Sequence, residues 1–461
     1  MDIFDDMRAQ ITELRPVRVF GQISAIDGQL LAVRGLNASA RIGDWLEVET
    51  RSGARIGAEI LRLTQTEALA LPNGPRDGLA IGDRAEHRAA RAIAPDDSWI
   101  GRVIDPFGQP LDGRALLSGP TQRALHAPAP DPARRGRLGA RLDTGMCVFD
   151  TILPVVEGQR MGLFAGSGVG KTMLLGNFAR QMQADVVVIA LVGERGRELR
   201  EFLEDVLGDD GLKRAVVITA TSDQPPLTRR RCAPAAMCVA EHFRDQGKHV
   251  LLLTDSITRM AEAHREVALA GGEDASLRGY PPSVVHQITA LAERAGPGVA
   301  GLGAITALFT VLVAGSDMEE PVADILRGVL DGHVVMDRAI AERGRFPAID
   351  VLRSVSRSLP QCARPEENAR ISEARRLLGA YDRAEMMIQA GLYEKGTDPL
   401  VDRAIQVWPL LDAFIGEAAA GGIKQSFARL ARVWNRPQPH RQTPKPRGVR
   451  ENGFPMGAYL H

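Results

Sequence analysis

A glycine-rich turn at residues 165–172 is the feature of this sequence that points most directly to chemistry. The segment reads AGSGVGKT, follows the strand-like apolar run Met161–Ala165, and precedes a predicted helix over Met173–Arg180. Successive backbone N–H groups of such a turn converge on phosphate oxygens, and the helix N-terminus adds partial positive charge. Lys171 would then reach the β- and γ-phosphates of a nucleotide, and the Thr172 hydroxyl would bind Mg²⁺.

This predicted phosphate-binding turn, or P-loop, joins the strand to the helix. The strict pattern has glycine at its first position, where this chain has Ala165. Alanine is nearly as small as glycine, so the departure is mild. The predicted nucleotide-binding residues of the turn are Gly166, Ser167, Gly168, Val169 and Gly170, followed by Lys171 and Thr172.

Two carboxylates follow later apolar strand runs. Glu194 comes after the run at 185–192, and Asp255 comes after the run at 249–254. Glu194 could polarise the water that attacks the γ-phosphate, although a surface loop with ion pairs would look the same. Asp255 could help to hold Mg²⁺, or it could cap a helix beginning at Ser256. The P-loop upstream favours the metal role.

A third candidate is Gly344–Arg357, a strand-like segment that ends in a basic residue. Spacing alone favours a plain structural role for Arg357, bound to a local carboxylate. A catalytic role for this arginine therefore needs support from outside the segment.

Composition sets limits on the class of protein. The 461 residues carry 57 Lys and Arg against 57 Asp and Glu, and this zero net charge gives no support for wholesale binding to nucleic acid or anionic membranes. Four scattered cysteines without a CxxC pair favour buried thiols in a reducing compartment. The N-terminus does not resemble a secretory signal. The uncharged stretch 295–316 is interpreted as a loop and a buried strand, because glycine and proline interrupt its first part.

Changes in periodicity divide the chain. Apolar runs between Asp-Gly, Gly-Asp and Ser-Gly turns predict a small β-barrel, and alternating strand and helix patterns farther on predict a parallel sheet covered by helices on both faces. A face of Ile3, Phe4, Met7, Ile11 and Leu14 predicts an amphipathic N-terminal helix, which either packs on its own domain or docks on a partner. The predicted units are an arm at 1–15, a barrel at 16–90, a connecting segment at 91–145, an α/β domain at 146–363, a helical domain at 364–435 and a disordered tail at 436–461.

Several ordered motifs resemble the rotary ATP synthase subunits and their export relatives. Within that superfamily, three stretches resemble the flagellum-specific ATPases of type III protein export, and the likeness covers about residues 15–430. The superfamily motifs are Arg160–Thr172, Leu191–Arg200, Thr219–Arg231, Leu251–Arg259, Arg278–Val284 and Arg343–Arg357. The three flagellar stretches are Phe164–Thr172, Thr310–Asp324 and Leu326–His333.

The resemblance implies a RecA-like P-loop ATPase core and assigns roles position by position. Lys171 and Thr172 match the phosphate and Mg²⁺ contacts, and Asp255 matches the Walker B acid. Glu194 matches the catalytic carboxylate and Arg195 its neighbour in the same motif. Three further matches are an arginine on the γ-phosphate side, an aromatic residue that stacks on adenine, and an arginine finger that enters the next subunit's site. These are Arg259, Phe346 and Arg357.

The resemblance also implies a function and partners. One chain holds both Glu194 and Arg357, so a homohexamer could be catalytic at every interface, using ATP and Mg²⁺. The implied setting is the cytoplasm beside the inner-membrane export apparatus, with chaperone–substrate complexes and a membrane gate as partners. A regulatory coiled-coil protein would bind residues 2–14. The alternatives are the equivalent ATPase of a virulence secretion system, a hexameric nucleic-acid translocase, and a non-catalytic nucleotide-holding subunit. We expect no nucleic-acid partner, because the barrel segment offers only Phe20 and Trp45 for base stacking.

Overall fold

A closed six-stranded barrel forms the N-terminal part of the computed structural model, which describes residues 17–313 and 318–435. The predicted arm and tail therefore lie outside the described residues. Around the barrel the strand order is β1-β2-β5-β4-β3-β6, with antiparallel pairing throughout. The strands are β1 Val19–Asp27, β2 Leu30–Arg34, β3 Trp45–Glu49, β4 Arg55–Leu63, β5 Glu67–Pro72 and β6 Arg84–Arg88.

Strand β6 closes the barrel but has no counterpart in the sequence pattern. Its residues read RAEHR, and among them only Ala85 is fully buried. The strand pairs with β1 on one side and with β3 on the other. Backbone pairing therefore holds β6 in place with little apolar side-chain burial, which hydrophobic periodicity cannot detect.

A nine-stranded sheet forms the centre of the chain, as the alternating pattern predicts. Its order is β15-β14-β8-β13-β11-β9-β10-β7, with the short β12 paired to β13. The neighbours from β14 to β7 run parallel, whereas β12 and β15 are antiparallel. The strands are β7 Arg102–Ile104, β8 Arg160–Ala165, β9 Val186–Glu194, β10 Ala215–Thr221, β11 His249–Asp255, β12 Gly296–Pro297, β13 Ala304–Leu312, β14 Gly332–Met336 and β15 Ile349–Ser356.

The central strands are apolar along their whole length because helices cover both faces of the sheet. In β9, Val187 and Ile189 belong to the core on one face, whereas Val188 and Ala190 belong to the core on the other. Side chains alternate across a strand, so a strand buried on both faces has no polar alternation. The uncharged stretch near residue 304 follows this rule as β13, and α/β architecture is confirmed.

Twelve helices are assigned in the described part of the chain. They are α1 Cys147–Asp150, α2 Lys171–Gln181, α3 Gly196–Glu201, α4 Gly208–Leu212, α5 Pro226–Asp245, α6 Ile257–Ala270, α7 Ser283–Arg294, α8 Pro321–Val329, α9 Arg338–Glu342, α10 Pro365–Gln389, α11 Pro399–Ile415 and α12 Gly422–Asn435. A π-helix at Phe202–Leu207 joins α3 to α4. The last three helices form the C-terminal helical region, and their apolar residues share the core that contains α1 and α2.

The segment between the barrel and the α/β core contributes to the sheet. Strand β7 lies within residues 91–145 and pairs in parallel with β10 at one edge. A tight turn follows β7, in which the Asp105 amide donates to the Gln109 carbonyl at 2.8 Å. The predicted connecting segment thus supplies a strand to the edge of the central sheet. All four cysteines are free thiols, three of them buried.

Candidate active site

The P-loop begins where β8 ends and α2 begins. Ala165, the residue that departs from the strict pattern, is the last residue of β8 and is fully buried, so an extended backbone accommodates its methyl group. Gly168 and Gly170 have φ values of 77° and 88°, in the left-handed region that favours glycine. Val169 between them is buried and fixes the turn to the core. The turn is therefore built as a backbone cradle that opens onto the helix N-terminus.

Lys171, Asp255 and Thr310 meet at the carboxyl ends of neighbouring strands. The Lys171 ammonium donates to Asp255 Oδ1, and the Thr310 hydroxyl donates to the same oxygen at 2.7 Å. The side chains of Lys171 and Asp255 are 11% and 6% exposed. Asp255 does not cap α6, because the cap is Ser256, whose hydroxyl accepts from the Arg259 amide at 3.3 Å.

Glu194 lies at the end of β9 and lines a cavity of about 270 Å³ together with Thr172, Glu198, Phe202 and Asp255. Burial raises the pKa of Glu194 to about 7, and the nearby negative charge of Asp255 and a hydrogen bond with Glu198 act in the same direction. A carboxyl with a pKa near the working pH can exchange protons with water readily. The cavity thus brings Glu194, a carboxyl with a raised pKa, close to Thr172 of the P-loop and to Asp255 at the end of β11.

This tuning has a cost in stability that can be measured. A carboxyl whose pKa is higher in the folded than in the unfolded state destabilises the fold at any pH above its folded pKa. We expect Glu194→Gln, in nucleotide-free protein, to raise the free energy of unfolding by up to about 3 kcal/mol at pH 8. At pH 4 the side chain is neutral in both proteins, so the gain should vanish. Urea unfolding at both pH values tests this, and an equal gain at both would contradict it.

Arg195 and Arg259 lie at the rim of the site. Arg195 directly follows β9, is 81% exposed, and lies 3.8 Å from Glu198. Arg259, in the first turn of α6, packs against Gly193, where an added Cβ would lie 3.3 Å from the arginine's own Cβ. Its guanidinium donates to Glu262 at 3.0 Å. Both guanidinium groups are partly exposed, so a bound anion could reach them.

Phe346 lies beside the P-loop although 175 residues separate it from Lys171. Its ring is close to Gly170, where an added Cβ would approach the Phe346 Cδ1 atom to 3.1 Å. Phe346 is 54% exposed, so much of its surface faces solvent. An exposed aromatic residue at this position offers a stacking surface next to the phosphate cradle.

Arg357 lies at the amino ends of the parallel strands. The P-loop of its own chain lies at their carboxyl ends, which form the opposite edge of the sheet. It directly follows β15, which runs antiparallel to β14, so Ser356 pairs with Gly332 at the amino end of β14. Met336, at the other end of β14, pairs with Ala165. Four residues of strand separate the two edges, which corresponds to roughly 13 Å. Arg357 is exposed, and its guanidinium donates to the Arg327 carbonyl at 3.3 Å.

Comparisons with known proteins identify similar proteins over most of the chain. Residues 145–356 match the ATP synthase alpha/beta family, nucleotide-binding domain, and residues 363–430 match the T3SS EscN ATPase C-terminal domain. The flagellum-specific ATP synthase of Caulobacter vibrioides is 44% identical over 436 residues, covering 92% of this chain and 98% of that protein. The chain belongs to the same ATPase family as this flagellum-specific ATP synthase. The type 3 secretion system ATPase of Pseudomonas syringae pv. syringae is 42% identical, covering 90% of this chain and 93% of that protein.

A solved structure of the family has the same fold. The assembled ATPase EscN, in complex with its central stalk EscO from the enteropathogenic E. coli type III secretion system, matches with a TM-score of 0.82 and 38% identity. The match covers 90% of this chain and 100% of that one. The chain is thus an ATPase with an ATP synthase-type nucleotide-binding domain, as the motifs predict.

Two residues of the site have no place in the sequence-based prediction. Thr310 is fully buried in β13, and the pairing of Thr254 with Phe309 brings it beside Asp255. The available signal was a hydroxyl side chain near the carboxyl end of an apolar strand, where Thr310 follows the earlier Thr306. Glu198, in the first turn of α3, lines the same cavity as Glu194 at the end of β9, because the chain turns sharply between the strand and the helix, and residue spacing alone does not predict that turn.

Two structural features are absent from residues 17–313 and 318–435, the part of the chain that the structure describes. Those residues contain no group of three or more His, Cys, Asp or Glu side chains that could hold a metal ion by themselves. None of the helices described there is long and apolar enough to cross a bilayer. A magnesium ion usually takes only one or two carboxylates from a protein and completes its coordination with water and substrate phosphates.

Proposed function

We propose that this ATPase hydrolyses Mg·ATP at the interfaces of a homohexameric ring and that hydrolysis assists flagellar protein export. The observation that carries the proposal is the position of Arg357 at the opposite sheet edge from the P-loop of its own chain. An arginine so placed reaches a γ-phosphate most simply in a neighbouring copy. A head-to-tail contact that closes produces a ring in which every interface is equivalent.

Within each interface the roles divide between two chains. The residues from Gly166 to Gly170 cradle the phosphates, Lys171 neutralises the β- and γ-phosphates, and Phe346 stacks on adenine. Glu194 orients the attacking water and accepts its proton, with Arg195 beside it, and Arg259 lies on the γ-phosphate side. Arg357 of the adjacent copy stabilises the charge that develops on the transferred phosphoryl group.

The residues present fit a magnesium ion. The exposed Thr172 hydroxyl and the Asp255 carboxylate lie along the same cavity, and together they offer the small number of hard oxygen ligands that Mg²⁺ takes from proteins. When bound, the ion would supply charge neutralisation between the β- and γ-phosphates. Thr310 holds the Asp255 carboxylate in place by its hydrogen bond.

Partners follow from the family. EscN is assembled and binds a central stalk, which supports self-association and a coiled-coil regulator here. We propose that such a regulator binds residues 2–14, that chaperone–substrate complexes deliver cargo, and that the ring works at the cytoplasmic side of a membrane export gate. The aromatic side chains of the barrel provide little surface on which nucleic-acid bases could stack. Trp45 is 5% exposed, and the Arg84 Cζ atom lies 4.2 Å from the centroid of the Phe20 ring. The proposal therefore includes no nucleic-acid partner.

A virulence secretion ATPase is the second candidate, because a type 3 secretion system ATPase is almost as similar as the flagellar relative. Both candidates share the catalytic residues, so chemistry does not separate them. Deletion of the gene separates them, since loss of motility supports the flagellar role and loss of effector secretion alone supports the other.

Assembly is tested by following activity and mass together. If the site is built at an interface, specific ATPase activity should rise with protein concentration, in step with the appearance of hexamers. Mass photometry with and without a non-hydrolysable ATP analogue measures the assembly, and the analogue should favour the ring. Full specific activity in dilute, strictly monomeric protein would contradict the proposal.

A further inference from the structure

The segment 343–348, which carries Phe346, lies between the P-loop and the C-terminal helices. It joins α9 to β15, and its phenylalanine ring faces Gly170 on one side. On the other side, a Cβ added to Gly416 at the end of α11 would lie 3.1 Å from the Phe346 carbonyl oxygen. The C-terminal helices are thus in direct contact with the backbone of the segment that presents the aromatic ring.

Arg345 fixes the shape of this segment. Its guanidinium donates to the Pro347 carbonyl at 2.7 Å and to the Ile349 carbonyl at 2.8 Å. Its Nε donates to Asp412 Oδ1 of α11 at 3.1 Å. The planar guanidinium therefore spans the backbone on both sides of residue 348 and ties it to one carboxylate of the C-terminal helices.

Burial leaves this ion pair less screened by solvent than a surface ion pair. The side chains of Arg345 and Asp412 are 11% and 25% exposed, and burial lowers the pKa of Arg345 while the Asp412 carboxylate opposes that change. A second ion pair joins Arg343 to Glu385 of α10 at 3.1 Å, but its side chains are 45% and 28% exposed. Solvent screens exposed pairs, so Asp412 is the better anchor.

We propose that Arg345, held by Asp412, is a positioning residue that sets the place of Phe346 and thereby the affinity for the nucleotide base. The inference rests on the proposed stacking of Phe346 on adenine. Asp412 belongs to α11, so the pair is also a direct connection from the C-terminal helices to the base side of the site. Neither residue touches the phosphate cradle in the described contacts, and the pair should therefore affect base binding without affecting phosphate binding.

The test separates base affinity from phosphate affinity in the full-length ATPase. Asp412→Ala is expected to raise KM for ATP about three- to tenfold with kcat within about twofold, and to weaken binding of a fluorescent ADP analogue by the same factor. Inhibition by inorganic tripolyphosphate, which has no base to stack, should be unchanged. Asp412→Glu should restore most of the affinity, and the milder Asp412→Asn gives an intermediate value if the alanine protein folds poorly.

A matched control removes another ion pair of the same helix. Arg403 of α11 pairs with Glu373 of α10 at 3.1 Å, away from segment 343–348. Arg403→Gln should leave KM for ATP and tripolyphosphate inhibition unchanged. If Asp412→Ala weakens tripolyphosphate as much as ATP, or changes neither, Arg345 has no positioning role.

Phe346→Ala separates the proposed adenine stacking from the proposed positioning by Arg345. It should raise KM for ATP about five- to a hundredfold and leave tripolyphosphate inhibition unchanged. An unchanged KM in this protein would refute the proposed adenine stacking itself. A raised KM in Phe346→Ala with wild-type values in Asp412→Ala would leave the stacking in place and refute only the positioning by Arg345.

Discussion

Glu194→Gln is expected to lower kcat for ATP hydrolysis by about 10²- to 10⁴-fold while ATP still binds with near wild-type affinity. The amide keeps the shape of the side chain and can still contact water, but it cannot accept a proton. Nucleotide binding should survive because the contacts proposed for the P-loop and Phe346 are with other parts of the substrate. Steady-state kinetics and binding of a fluorescent ADP analogue measure the two effects separately.

The pH dependence of the wild-type protein should identify the same group. Glu194 must be ionised to accept a proton, and burial, Asp255 and Glu198 raise its pKa to about 7. Therefore kcat/KM should increase with pH through about 7, because the free enzyme's base is protonated below that value. The residual activity of Glu194→Gln should lack this rise.

Glu198→Gln is the matched control, because Glu198 lines the same cavity. It should change kcat by less than about tenfold and move the pH profile to lower values, since its hydrogen bond raises the pKa of Glu194. Near wild-type kcat in Glu194→Gln, or a greater loss of kcat in Glu198→Gln, would show that Glu194 is not the general base.

Arg357→Ala is expected to lower kcat by about 10³- to 10⁵-fold without preventing ATP binding. A guanidinium that reaches the γ-phosphate from a neighbouring chain stabilises charge on the equatorial oxygens only as the transition state forms. Mass photometry with an ATP analogue should confirm that rings still assemble. Arg376→Ala, which removes a surface arginine of α10 that pairs with Glu373, should keep full activity.

Mixing two inactive proteins tests whether Arg357 acts between chains. In a ring that contains both Arg357→Ala and Glu194→Gln chains, an interface is intact when the first supplies Glu194 and the second supplies Arg357. Random assembly makes roughly one interface in four intact, so the mixture should regain activity far above either protein alone. If mixtures that have exchanged subunits do not regain activity, Arg357 and Glu194 act in the active site of the same chain.

The parts of this ATPase whose chemistry is local could be predicted from residue order alone. The P-loop is contiguous, because a strand, a glycine turn and a helix start place its predicted phosphate-binding groups within eight residues. The sequence identifies Glu194 and Asp255 as candidates because parallel strands present their carboxyl ends at one edge, where a polar residue after an apolar run can take part in a site. The barrel was predicted from its turns and apolar runs, except for β6, which has only one fully buried side chain.

Contacts between residues far apart in the chain could not be predicted in this way, because they arise from the folded arrangement. The raised pKa of Glu194 depends on burial by elements outside its own strand, and Thr310 reaches Asp255 through the register of two strands 55 residues apart. Phe346 faces Gly170, and Arg345 meets Asp412 across 67 residues, because the C-terminal helices pack against the segment between α9 and β15. The antiparallel course of β15 carries Arg357 to the far edge of the sheet. Such contacts depend on long-range packing and strand direction, which residue spacing along a chain does not encode.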